Sequence, residues 1–127
     1  MTQILILNFI IGVVVGALLE TVYRSIEHKR LVTPKVANIL MYGFMGTFLV
    51  FIYFLDTSLV SRLFLLFLIP TLIEFLTGYL YLKIKRVHLW NYSKEKFNFM
   101  GLVCLRFSLI WFAISLIYYY LFLPLTL

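Results

Sequence analysis

"LFLLFLIPTLIEFLTGYLYL", Leu63–Leu82, decides the fold. This run carries a single charged residue, Glu74, and shows no strand-like alternation of polar and apolar positions. At ~1.5 Å rise per residue, a run of this length spans a hydrocarbon core of ~30 Å. Inside lipid the backbone must satisfy its own hydrogen bonds, which leaves a helix as its form. Three further runs read the same way, Ile4–Tyr23, Val36–Leu55 and Phe99–Leu123. The sequence therefore predicts an all-α, polytopic membrane protein. Its four transmembrane helices form two tandem helical hairpins within one domain, residues 1–127.

Composition points the same way. The chain has 127 residues, 64% hydrophobic and 13% charged, with a mean hydropathy of +1.05. A soluble domain of this size has too little interior to hide that much apolar surface. The first run has no Lys or Arg before it and no small-residue cleavage site before Glu20, so it is expected to be a span and not a cleaved signal. Cys104 is the lone cysteine, which rules out an internal disulfide and suggests no thiol metal site. No phosphate-binding loop, zinc motif, Ser-His-Asp set or pair of catalytic aspartates is present. An enzyme is not expected, nor is a metal or cofactor. His28 and His88 read as solvated loop residues.

Charge sets the orientation. Arg24, Lys29, Arg30 and Lys35 lie between the first and second spans, and Lys83, Lys85, Arg86, Lys94 and Lys96 between the third and fourth. The middle loop has only Arg62. The positive-inside rule places both basic loops in the cytoplasm and both termini outside. The expected location is a bacterial plasma membrane. The net charge of +6 is a topology signal with a weak attraction to anionic membrane lipid, and nucleic acid is not an expected partner.

The halves 1–57 and 58–127 read as an internal repeat. "ALLE" (Ala17–Glu20) matches "TLIE" (Thr71–Glu74), and "YGFMG" (Tyr42–Gly46) matches "FNFMG" (Phe97–Gly101). Each half would carry an acid near the end of its first helix and Phe-Met-Gly in its second.

On the first helix Asn8, Gly12, Gly16, Glu20 and Arg24 share a side. Small residues four apart let helix backbones approach closely, and Gly12, Gly16, Gly46, Gly78 and Gly101 are the candidate helix-packing positions. On the third helix Pro70, Glu74, Thr77, Gly78 and Tyr81 share a face. Pro70 lacks an N–H and frees a carbonyl one turn earlier. If the fourth helix starts near Phe99, Arg106 lies at the depth of Glu74, and a buried Glu74–Arg106 pair is expected. Glu20 sits nearer the interface and can pair with Arg24 or join that cluster. The fourth helix would show a small face (Gly101, Cys104, Ser108, Ser115) opposite Arg106. Neither face suits lipid, which implies a homo-oligomer or a partner membrane protein.

The stretch "EFLTGYLYLKIKRVHLWNYSKEKFNFMGLVCLRFSLIWF", Glu74–Phe112, resembles a family of small four-helix membrane proteins. Its bacterial members are filed as ABC-transporter permeases of the CmpB type and its animal members as transmembrane protein 229. The pattern falls on Glu74, Gly78, Trp90, Tyr92, Ser93, Phe97, Asn98, Gly101, Cys104, Leu105 and Trp111, and "GALLETVY", Gly16–Tyr23, fits the family's first acid segment. Asn91 stands where the pattern has Asp. A loop cap would survive that change, whereas an ion ligand or proton acceptor would be lost. The resemblance implies four helices, a permease role and a separate ATPase subunit, since this chain has no nucleotide-binding loop.

Trp90, Asn91, Tyr92, Ser93 and Asn98 read physically as an interfacial loop. The rings would sit at headgroup level, and Asn98 would cap the fourth helix. The function read from the sequence is a transporter or channel component in which Glu20, Glu74 and Arg106 line a path, with a water-filled crevice reaching Glu74. The alternative is a structural or regulatory membrane protein, a scaffold for a partner or lipid, whose dry, paired charges only lock the bundle. An enzyme acting on lipid at the interface ranks last.

Overall fold

A computed structural model describes residues 1–31 and 33–127. Among the described residues, four helices are long and apolar enough to cross a membrane. α1 is Thr2–His28, α2 Val36–Phe54 and α3 Leu59–Lys85. α4, Leu105–Ile117, continues through a π-helical turn at Tyr118–Phe122 and a 3-10 turn at Leu123–Thr126 into one span. α1 and α3 both end on a basic residue in the left-handed region, Lys29 (φ 54°) and Arg86 (φ 59°). That conformation turns the chain out of a helix and lets the cap N–H groups reach the last carbonyls. α3 starts at Ser58, whose hydroxyl accepts the Ser61 N–H at 3.2 Å.

The helices pack in chain order, α1 on α2, α2 on α3 and α3 on α4. The reason α1 and α2 lie so close is in the glycines. A methyl group on Gly12 would strike the Tyr42 carbonyl oxygen, one on Gly16 the Tyr42 ring, and one on Gly46 the Asn8 carbonyl. The opposite side of α1, Ile6, Ile10, Val14, Leu18 and Val22, is exposed at four-residue spacing and suits lipid.

At the end away from the basic turns, Leu49, Val50, Ile52, Leu66, Tyr119 and Leu123 form a dense core. Asn8 is buried beside it. Its amide donates to Ile4 O at 2.9 Å and Thr126 Oγ1 at 3.0 Å, and its Oδ1 accepts from the Tyr118 hydroxyl. That cluster ties α1 to the far end of the fourth span.

The fourth span differs from its sequence reading. Asn98–Phe99 (β1) and Val103–Cys104 (β2) pair antiparallel, Asn98 with Cys104 and Phe99 with Val103. Phe97, Met100 and Gly101 have positive φ, so this segment turns back on itself where a helix was expected. The helix starts at Leu105 and its N-cap is Cys104, not Asn98. Gly101 therefore serves a tight turn (φ 68°) and not helix packing. The two Phe-Met-Gly copies are not equivalent either. Phe44–Gly46 is mid-helix in α2, whereas Phe99–Gly101 belongs to the hairpin. The small face of the fourth helix is covered within the chain, because buried Ser108 meets Thr71 of α3 at 3.0 Å. That face gives no ground for an oligomer.

Candidate functional site

At the end of the bundle that carries the basic turns lies a cavity of about 500 Å³. α1 contributes Glu20, Tyr23, Arg24, Glu27 and His28; α3 contributes Glu74; α4 contributes Phe107, Ile110 and Trp111. The α3–α4 connection closes over it with Trp90, Tyr92, Lys94 and Glu95. Glu20 and Glu74 are thus brought to one space from two helices.

The two acids are held differently. Glu20 accepts from Tyr42 OH at 2.7 Å through Oε1 and from Arg24 Nε at 2.8 Å through Oε2. Glu74 is 1% exposed. Its Oε2 accepts the Trp111 indole N–H at 2.5 Å and the Tyr92 hydroxyl at 3.3 Å. Its Oε1 has no hydrogen-bond partner among the described residues. Burial, with the Glu74 carboxylate as a further cause, holds the Tyr92 phenol above its usual pKa. It stays a hydrogen-bond donor at neutral pH.

Arg106 is elsewhere. It sits in the first turn of α4, 64% exposed, and its Nη1 meets Glu95 Oε1 at 3.3 Å. It lines a separate surface hollow with Lys94, Phe97 and Leu109. The expected Glu74–Arg106 pair is not made. The hairpin consumes the residues that would have carried Arg106 into the membrane, so its charge stays at the surface where solvation is cheap.

The connecting loop also departs from its reading. Trp90 and Tyr92 turn inward instead of standing at the headgroups. The Trp90 indole donates to Leu102 O at 2.7 Å. Gly78 makes room, for a methyl group there would lie 3.1 Å from the Trp90 ring. The Tyr92 N–H donates to Gly101 O at 2.9 Å, which pins the loop to the hairpin. Asn91 Oδ1 accepts the Ser93 N–H at 2.9 Å, a turn that Asp makes equally well. The place of the family's Asp is therefore a loop cap here. Asn98 braces the same loop, donating to Glu95 O at 2.9 Å and accepting from Gly101 N–H at 3.0 Å.

Sequence reasoning missed Tyr42 and Trp111 as partners of the acids. A signal was available. Both lie mid-span, away from the membrane boundaries where such rings collect, and a buried phenol or indole needs an acceptor. Their rings meet at 5.0 Å between centroids. Past them lies an apolar pocket of about 50 Å³, with the dense core beyond. The large cavity, a vestibule at the basic-turn end of the bundle, shares Leu19, Trp111 and Ile114 with that pocket. Among the described residues no group of three His, Cys, Asp or Glu is placed to hold a metal.

Residues 7–127 match the family model described as "Putative ABC-transporter type IV" (ABC_trans_CmpB). Comparison with curated proteins and with solved structures gave no match.

Proposed function

We propose, because the chain belongs to this family of ABC-transporter type, that it is a transporter's membrane component and that the vestibule is its substrate-facing site. The observation that carries this reading is Glu74, a buried carboxylate among the residues lining the 500 Å³ cavity, one of whose oxygens has no hydrogen-bond partner among the described residues. A charge that only locked a bundle would have its lone pairs filled, as Glu20 does. The volume is within the ~300–1,000 Å³ of small-molecule sites. The positive-inside rule applied to the basic turns supports a cytoplasmic vestibule and termini on the outer side. A separate ATPase subunit would dock on those turns.

Glu20 fits the structural reading better. With both oxygens engaged by Tyr42 and Arg24, it fastens α1 to α2.

Accessibility tests the proposal. Ile110 lines the vestibule, whereas Ala113, three residues on, is exposed and does not. In a Cys104→Ser background, a charged thiol reagent added from the cytoplasmic side should label Ile110→Cys and spare Ala113→Cys. Equal labelling of the two, or protection of both, would overturn it.

A further inference from the structure

The chemistry of the vestibule also names what it would take, an inference that rests on the reading of this cavity as a substrate site. Two carboxylates, Glu20 and Glu74, stand at its deep end against one guanidinium, that of Arg24, which Glu20 already engages. The unfilled group is an acceptor. An anion would meet the lone pairs of Glu74, beside an Arg24 guanidinium whose Nε–H is already given to Glu20. A bare metal ion would need several oxygen ligands, and the wall beside Glu74 offers rings instead. Trp90 stacks on Tyr92 (26° between planes), Tyr92 on Phe107 (12°), and Tyr23 meets Phe107 edge-on at 6.1 Å between centroids. Aromatic walls beside a buried carboxylate suit a cation with an organic body. The carboxylate takes its N–H, and ring faces attract its charge.

We propose that the vestibule binds a small organic ammonium compound. Its ammonium group pairs with the Glu74 carboxylate, and its body lies against Trp111, Trp90 and Phe107.

The chain has only two tryptophans, Trp90 and Trp111, and both line the cavity. Their indole N–H resonances in lipid nanodiscs report directly on the site. Benzylammonium should shift them saturably, the neutral isostere benzyl alcohol should bind at least roughly tenfold more weakly, or about 1.4 kcal/mol, and benzoate should not bind. Glu74→Gln should abolish the preference for the ammonium while Arg106→Ala keeps it. Equal binding of ammonium and alcohol, preference for benzoate, or an unaltered preference in Glu74→Gln would each overturn the proposal. If none of the three probes binds while Ile110→Cys is labelled from water, the substrate class falls and the vestibule stands. If Ile110→Cys is also shielded, the vestibule falls with it.

Discussion

Glu20 on α1 and Glu74 on α3 are acids set in apolar helices, and both line the vestibule, yet their surroundings are opposite. Glu20 has a phenol on one oxygen and a guanidinium on the other. Glu74 has an indole and a phenol on the same oxygen and, among the described residues, no partner on the other. The difference begins in the chain beyond each acid's helix. After α1 the chain re-enters directly as α2, whose Tyr42 reaches back to Glu20. After α3 it folds a loop and a hairpin over the bundle end, and Tyr92 of that loop meets Glu74. One acid became a fastener and the other a half-occupied acceptor.

The largest expected effect breaks the first half. Gly16 has the Tyr42 ring against it. Gly16→Leu should force α1 from α2 and release Tyr42 from Glu20, at a cost of about 3 kcal/mol or more. Thermal unfolding in detergent should show a large fall in Tm or loss of the folded species. A melt like wild type would show that α1 does not lie on Tyr42.

Tyr42→Phe is the milder form of the same test. It removes one hydrogen bond to Glu20 and leaves an oxygen unfilled, an expected loss of about 1–3 kcal/mol. Glu74→Gln should cost less, under about 1 kcal/mol, since no cation is stranded and the amide oxygen can still accept from Trp111. The ordering Tyr42→Phe below Glu74→Gln in Tm is the sharpest stability statement of the comparison. If Glu74→Gln is the more damaging of the two, Glu74 is a fastener as well.

The smallest effect belongs to Arg106→Ala. Its pair with Glu95 is exposed, and such pairs contribute ~0–1 kcal/mol. An unchanged Tm is expected, with slightly less dependence on salt than in wild type. A loss of several kcal/mol would mean that Arg106 does reach into the bundle.

The four spans could be read before any coordinates because lipid imposes a length and a composition on each of them, and both are written along the chain. Leu63–Leu82 needs no tertiary information to be a helix. The close approach of Gly12 and Gly16 was likewise visible as spacing, since helix periodicity puts residues four apart on one side. The hairpin at Asn98–Cys104 was hidden by the same reasoning. Phe97, Phe99, Met100, Leu102 and Val103 are as apolar as a span, and hydropathy does not register the positive φ of Phe97, Met100 and Gly101.

That single difference decided the site. Sequence determined that two acids, Glu20 and Glu74, would lie in apolar helices and would need partners, because a charge in lipid cannot stand alone. Which partners they found depended on depth and facing across helices that are distant in sequence. Moving the start of α4 to Leu105 left Arg106 at the surface and set the Trp111 indole beside Glu74. Hydrogen bonds act over about 3 Å, so a shift of one turn exchanges one partner for another. The partners of Glu74 and the cavity it helps to line come together only where α1, α3, α4 and the folded loop converge.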